Sequence, residues 1–363
     1  MPSAADSLDS EAWVESLSPW PEEGFGLERM RALLRELGDP QDAFEAVHVV
    51  GTNGKSTAAL TVEALLRAAG LHVGTTISPH VRRWSERIRV DGAEADFAAA
   101  VERIRPAAQR VGATQFESIT GAALAEFAAA SIDAAVVEAG LGGRLDATNV
   151  LRSRVVLLTN VAYDHTDVLG ETLEEIAAEK LAVAHEESVV VMSDNRYTHL
   201  VPHRRVVHGG AREAAEEFVG RPIDADPSVE LPGRLERRLG EIRDGAHNPA
   251  GVHWLLERLP PGSYTLCVSI LADKDAPAML AALAAAGTRL VATRSSSARA
   301  LPADELAELA RPHFARVEAV DDPARALARA HRLGEPVLVT GSLYLLSDLE
   351  AAERERERAA WAR

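Results

Sequence analysis

Val49-Val-Gly-Thr-Asn-Gly-Lys-Ser-Thr-Ala58 opens as an apolar run, breaks at a turn bracketed by two glycines, and delivers Lys55, Ser56 and Thr57 at a helix start. Upstream, Phe44 to Val50 reads as a buried strand. Downstream, Thr57 to Ala69 carries Leu60, Ala64, Leu65 and Ala68 at helical spacing. A strand, a glycine turn and a helix start in this order hold a nucleotide triphosphate. Gly51 and Gly54 remove side chains where the backbone must approach phosphate oxygens, the free N–H groups of the helix start point at the anion, and Lys55 adds positive charge. Ser56 or Thr57 then offers a hydroxyl to Mg²⁺. The first glycine of a complete Walker A pattern is missing, since position 49 is Val49.

A second apolar run, Ala134 to Val137, ends in Glu138 and continues as Ala-Gly-Leu-Gly-Gly-Arg-Leu-Asp-Ala-Thr-Asn149. A carboxylate at the carboxyl end of a buried parallel strand, beside a phosphate loop, is placed to bind a metal or orient water. Gly140, Gly142 and Gly143, followed by Arg144, Asp146 and Asn149, give the next loop too many special backbone positions for an ordinary solvent turn. A third strand, Arg154 to Thr159, leads to Asp164 and His165, which are expected at its end.

Further motifs extend the pattern along the chain: Gly26-Leu-Glu-Arg-Met30, Ser78-Pro-His80 with Glu86-Arg-Ile88, Phe116-Glu117 with Thr120, Leu169-Gly170, Glu179-Lys180, Leu231-Pro-Gly-Arg234, Asp244-Gly-Ala-His-Asn-Pro249 and Gly341-Ser-Leu-Tyr344. In this order and at these separations they resemble the folylpolyglutamate synthase/dihydrofolate synthase family of the Mur ligase superfamily, over nearly the whole chain. The resemblance implies an ATP-dependent carboxylate–amine ligase, in which a folate or pteroate carboxylate takes the γ-phosphoryl group of ATP and the amine of L-glutamate then displaces phosphate. It implies ATP and two Mg²⁺ ions as the cofactors and a monomer as the default state.

Carried over by the resemblance, Gly51, Thr52, Asn53, Gly54, Lys55, Ser56 and Thr57 hold the nucleotide, with Lys55 on the β- and γ-phosphates. Ser56, Ser78, Glu138, His165 and Lys180 become the metal-side residues, Lys180 as a lysine carbamylated by CO₂. Arg234 would meet the phosphates, and Asp244 and His247 would sit near the nucleotide and the developing acyl phosphate. From the residues alone, Lys180 reads as a solvated lysine in a helix capped by Thr172-Leu-Glu-Glu175, and His165 as a structural histidine or a ligand equally.

The overall reading is an α/β protein: a P-loop ATPase domain of the Mur ligase central type with a mostly parallel sheet over residues 1–231, and a Rossmann-like α/β glutamate-ligase domain over 232–363. Apolar runs at Tyr264–Ile270, Arg289–Thr293, Val317–Val320 and Pro336–Thr340 alternate with alanine-rich stretches at 248–259, 276–286, 302–311 and 322–332, the pattern of a parallel sheet covered by helices. No G-x-G-x-x-G opens it, so a dinucleotide is not implied.

A formal net charge of −16 opposes a nucleic-acid partner. The one dense basic stretch, Arg82, Arg83, Arg87 and Arg89, reads equally as a substrate-side loop or a solvated surface. No apolar run approaches the ~20 residues of a membrane span and no leader is evident, so a soluble, cytoplasmic protein is expected. The single cysteine, Cys267, lies in an apolar strand and reads as a buried thiol. The tail Ala-Ala-Glu-Arg-Glu-Arg-Glu-Arg358 mixes charge at helical spacing and is expected to carry the last helix into solvent.

Three departures from the family pattern stand out. No glycine follows Lys55, as in the Mur ligases that build cell-wall precursors; Leu-Ala-Val-Ala184 follows Lys180; and the stretch from Met192 to Leu231 is shortened, with Ala211 to Phe218 the remnant of a helix. They leave two alternatives: a Mur-type amino-acid ligase with another acceptor, and a non-catalytic nucleotide-binding homologue.

Overall fold

The computed structural model describes residues 4–21 and 24–361. Its contacts gather the chain into two units: one runs to Ala162 and takes in Thr166–Val229, and the other takes in Tyr163–His165 and the described residues from Glu230 on.

The first unit is built on eight strands: β1 (Glu45–Val50), β2 (Val73–Thr76), β3 (Ile88–Val90), β4 (Ala93–Glu94), β5 (Ala134–Glu138), β6 (Val155–Leu158), β7 (Val189–Met192) and β8 (Val206–His208). They form one sheet in the order β4-β3-β2-β5-β1-β6-β7-β8. It is parallel from β2 to β8, and β3 and β4 add an antiparallel edge. Every residue of β5 and β6, and all of β1 after Glu45, is buried. Because successive side chains point to opposite faces, that requires cover on both sides. Cover comes from α1 (Ala4–Ser16), α2 (Glu28–Glu36), α3 (Lys55–Ala68), α4 (Phe97–Val111), α5 (Gln115–Ala130), α6 (Thr166–Leu169), α7 (Leu173–Leu181) and α8 (Ala211–Val219). The remnant helix anticipated at Ala211 to Phe218 is α8, packed on α3 and β6.

The register decides what meets the phosphate loop. Val49 of β1 stands level with Glu138 of β5, so the two parallel strands end together and Glu138 is delivered beside the turn that starts at Gly51.

The second unit holds β9 (Glu236–Arg238), β10 (Glu241–Arg243), β11 (Thr265–Val268), β12 (Arg289–Ala292), β13 (Arg316–Ala319) and β14 (Val337–Thr340), in the order β13-β12-β11-β14-β10-β9. Only β9 runs antiparallel to its neighbour. Three of the helices, α9 (Pro249–Arg258), α10 (Ala276–Leu283) and α11 (Ala303–Ala310), fall within the stretches anticipated from alternation, and α12 (Pro323–Leu333) runs one residue past its stretch; α13 (Leu343–Trp361) is the last described helix. The α/β reading therefore holds for both sheets. Cys267 is fully buried on β11, and burial pushes its thiol up to about 12.

Strands β9 and β10 were not anticipated, because Glu236-Arg-Arg238 and Glu241-Ile-Arg243 are mostly charged. Tertiary pairing explains them. Arg243 is almost wholly buried and reaches Glu241, Glu350 and Glu353, while Arg238 meets Glu236, Glu350 and Glu353. The tail does carry the last helix into solvent, with residues 354–359 exposed, but its start is docked: two buried or half-buried guanidiniums need carboxylates, and α13 supplies them.

Candidate active site

In the first unit the turn after β1 is pinned to the segment after β6. Thr52 N donates to Asn160 O at 3.0 Å, Asn53 N to Asn160 Oδ1 at 3.0 Å, and Asn160 Nδ2 and Thr159 Oγ1 both donate to Asn53 O, at 2.9 and 2.8 Å. The two glycines share a positive φ but differ in their surroundings. Gly51 has φ 147°, and a Cβ there would also lie 1.9 Å from Thr159 Oγ1, so both its backbone and the pinning segment packed against it require glycine. Gly54 has φ 77° with nothing within 4 Å of a built Cβ, so it is glycine for its left-handed backbone as the N-cap of α3.

Lys55 is the first residue of α3, two residues earlier than the periodicity suggests. Its Nζ folds back to donate to Thr52 O at 3.3 Å, across the mouth of the loop. Ser56 is buried and Thr57 is exposed. Ser56 Oγ donates to Glu138 Oε1 at 3.1 Å, and Ser78 N donates to Glu138 Oε2 at 2.9 Å. The structure therefore brings Ser56, Ser78 and Glu138 together, and it distinguishes Ser56 from Thr57 as the hydroxyl beside the carboxylate.

Lys180 is buried, with 4% exposure, near the end of α7, and its Nζ donates to Gly51 O at 3.0 Å. The solvated lysine suggested by its helix alone is overturned. The Thr172 cap and Glu175 box form as read. The loop after Glu138 reaches the same place: a Cβ on Gly143 would meet Lys180 O at 2.6 Å, and Arg144 N donates to Glu179 O at 3.1 Å.

Can these residues hold a metal ion? Glu138 and Ser56 present hard oxygens side by side at a helix start, the donor type a small divalent cation takes alongside phosphate oxygens and water. Among the described residues no group of three or more His, Cys, Asp or Glu is arranged to hold a metal. The arrangement fits an ion shared with a nucleotide rather than caged by protein.

Asp164 and His165 lie several residues beyond β6, not at its end, and belong to the second unit; His165 has φ 50°. There Asp164 is the hub. Lys274 Nζ donates to Asp164 Oδ1 at 2.5 Å, Asn248 Nδ2 to Oδ2 at 3.1 Å, and His247 Nε2 stands 3.5 Å from Oδ2. Burial works against the Asp164 charge, yet the His247 hydrogen bond and charge, the Lys274 ammonium and His165 hold its carboxyl well below the usual range. Burial, opposed by Asp164 and aided by Lys274, lowers the His165 imidazole and favours its neutral form.

Asp244 is buried beside this group. It accepts from Leu235 N and Ala246 N, each at 2.8 Å, and burial raises its carboxyl despite the Arg234 charge. Arg234 lies against Gly245, where a Cβ would come within 2.5 Å of its Nη1. Lys274 was missed in the sequence. It follows the apolar run Tyr264–Ile270 between Asp273 and Asp275, and the strand-end logic that drew attention to Glu138 applies to it equally.

The basic stretch is largely engaged: Arg83 with Glu94, Arg87 with His80, and Arg89 with Glu63. Among the described residues no helix is long and apolar enough to cross a membrane.

The chain matches the Mur ligase middle domain over residues 49–219 and the Mur ligase glutamate ligase domain over residues 233–343. It is 31% identical over 406 residues to the dihydrofolate synthase/folylpolyglutamate synthase of Mycobacterium tuberculosis, covering 85% of this chain and 83% of that one. The chain belongs to the folylpolyglutamate synthase/dihydrofolate synthase family of Mur ligases. Solved structures agree across the whole fold. FolC from E. coli in complex with DHPP and ADP superposes with a TM-score of 0.87 at 27% identity, covering 98% of this chain and 100% of that one. A bifunctional folylpolyglutamate synthase/dihydrofolate synthase with Mn, AMPPNP and L-glutamate bound gives 0.84 at 28% identity, covering 96% and 98%. This Mur ligase is accordingly an ATP-dependent ligase.

For Glu138→Gln we expect the turn and α3 to stay intact, because the amide keeps the shape between Ser56 and Ser78, while turnover at limiting Mg²⁺ falls by about 10²-fold, as for loss of one charge-stabilising group. A Mg²⁺ titration of the rate checks this, and an unchanged metal dependence would remove Glu138 from the site.

Proposed function

We propose that this Mur ligase joins L-glutamate to the carboxylate of a folate or dihydropteroate, using ATP with two Mg²⁺ ions, and that residues 1–231 carry the nucleotide while 232–363 form the glutamate-ligase domain. The observation that carries the reading is the meeting of Ser56, Glu138 and Lys180 around one glycine-bracketed helix start, in a chain of this family.

The physical difficulty is bringing an anionic carboxylate to a polyanionic triphosphate. The loop amides from Gly51 to Thr57 and the Lys55 ammonium offset that repulsion, and Arg234 adds a planar fork suited to phosphate oxygens. A carboxylate oxygen of the acceptor forms a bond to the γ-phosphorus while the bond to the β-phosphate oxygen breaks, giving acyl phosphate and ADP. The glutamate amine, once deprotonated, attacks the acyl carbon; collapse of the tetrahedral adduct expels phosphate and leaves the amide. Most of the rate enhancement comes from positioning and charge stabilisation.

Bound divalent metal supplies Lewis-acid screening of the phosphoryl oxygens; Ser56, Ser78, Glu138, His165 and Lys180 are the residues assigned to it. Lys180 fits carbamylation: its amine nitrogen forms a bond to CO₂ with loss of a proton, and the secondary carbamate keeps one N–H for the Gly51 carbonyl. His247 and Asp244 are assigned to the acyl-phosphate side, and Asp164 with Lys274 to holding His247 and His165 in place. A monomer is the working state.

The test is ADP release with ATP, Mg²⁺ and L-glutamate, supplying dihydropteroate in one assay and tetrahydrofolate in another. Glutamate-dependent release with both identifies a bifunctional enzyme, and with one fixes the acceptor. No release with either, while ATP still binds, would overturn the folate reading and leave a Mur-type ligase with a different acceptor or a non-catalytic nucleotide-binding homologue.

A further inference from the structure

His48 is wholly buried on β1, three residues before Gly51, and nothing in the chemistry above uses it. A buried imidazole must account for both ring nitrogens. Nε2 lies 2.8 Å from Thr148 Oγ1, whereas Nδ1 has no hydrogen-bond partner. Thr148 is itself buried, and its hydroxyl donates to Asp146 Oδ1 at 2.5 Å. A hydroxyl has one proton. With that proton given to Asp146, Thr148 can only accept from His48, which fixes the neutral imidazole as the Nε2–H tautomer with a bare Nδ1.

Asp146 ends the chain of bonds as an acceptor. Besides the Thr148 hydroxyl, it takes Thr148 N at 3.0 Å on Oδ1 and Leu141 N at 2.7 Å on Oδ2. Burial raises its carboxyl above the ordinary value, and these donors pull the other way. The loop folds around it further, with Asp146 N donating to Gly143 O at 3.1 Å and Asn149 N to Asp146 O at 2.8 Å.

This loop starts directly after Glu138 and ends its reach on α7, where Gly143 packs on the Lys180 carbonyl and Arg144 bonds Glu179. Lys180 in turn holds the Gly51 carbonyl, and Gly51 continues the strand that carries His48. The contacts close a ring: His48, Thr148, Asp146, the glycine loop, Lys180, Gly51.

We propose that His48, Thr148 and Asp146 form a positioning relay that fixes the glycine loop and thereby the place of Lys180 against Gly51. Its effect on catalysis rests on the proposed role of Lys180; its existence as a hydrogen-bonded relay does not. Thr148→Val keeps the side-chain volume but strands the His48 Nε2–H and leaves Asp146 Oδ1 with the Thr148 amide alone, whereas Thr148→Ser keeps the hydroxyl.

Measured well below the melting temperature of each variant, Thr148→Val should lower kcat by about 10- to 100-fold, the scale seen when a supporting hydrogen bond behind an active-site group is lost. KM for ATP should stay near its wild-type value, and Thr148→Ser should return kcat to within about twofold of wild type. In parallel, ¹⁵N-histidine NMR of the full-length wild-type protein should show one ring protonated on Nε2, bare on Nδ1 and unchanged across the neutral pH range, and that signature should be lost in Thr148→Val.

Full kcat in folded Thr148→Val, or failure of Thr148→Ser to restore it, overturns the positioning role. Absence of a non-titrating Nε2–H ring in the wild type overturns the relay itself, and this arm stands even where Thr148→Val does not fold. Should wild-type protein turn over no acceptor, the proposed function fails while the NMR spectrum still decides the relay.

Discussion

Lys55→Ala is expected to reduce ATP turnover by about 10³-fold or more, the scale associated with removing a charge that meets the transferring phosphoryl group; at 1.36 kcal/mol per tenfold this is about 4 kcal/mol of transition-state stabilisation. The structural cost should be small. Lys55 is only half-buried, its Nζ bond is to the Thr52 carbonyl at 3.3 Å, and the turn is held independently by Asn160 and Thr159. Circular dichroism and melting should therefore match wild type while ADP release collapses with every acceptor. Retained turnover would remove the loop from phosphate binding.

Lys180→Ala is expected to lower kcat by a comparable factor, about 10³-fold, through loss of a charged group at the metal side of the site. This variant also removes the bond to Gly51 O and leaves a cavity in a buried place, so part of the loss will be structural. Chemical rescue separates the two causes. If Lys180 acts as a carbamate, acetate or a similar small carboxylate should restore part of kcat in a saturable way, because it returns an anionic pair of oxygens to the vacated space. If Lys180 acts only as a strut for the Gly51 carbonyl, no carboxylate will help. Absence of rescue in a variant that is folded and still binds ATP would refute the carbamate assignment.

Much of the architecture was legible because it rests on local rules. The runs around Val47, Val136, Val156 and Leu266 are too uniformly apolar for half-exposed strands, and the alanine-rich stretches between them have helical spacing. Buried parallel strands joined by helices follow from that alternation. Strands β9 and β10 were hidden for the opposite reason, since their arginines become strand residues only once α13 supplies carboxylates from more than 100 positions away.

The site was legible in part. Lys55, Ser56 and Glu138 follow from strand-end and helix-start logic, and their meeting is a consequence of the Val49–Glu138 register. Lys180 carries no local mark of its role, because a helix with a standard cap says nothing about which tertiary surface its last turn will face. Asp164 and His165 were expected at the end of β6 but lie several residues beyond it, in the second unit, and their partners Lys274, His247 and Asn248 come from distant segments that no spacing rule connects.

By itself the sequence determined the strands β1, β5 and β6 and the strand–helix alternation from β11 on, the glycine turn that exposes amides at the start of α3, and the residue types available for phosphate and metal chemistry, because each is set by neighbours within a few positions. Only the tertiary structure decided that Ser56 rather than Thr57 meets Glu138, that Lys180 is buried on Gly51, and that Lys274 charges the Asp164 hub. Those outcomes depend on strand register and on which helix face turns inward, and both are settled by packing across the whole sheet.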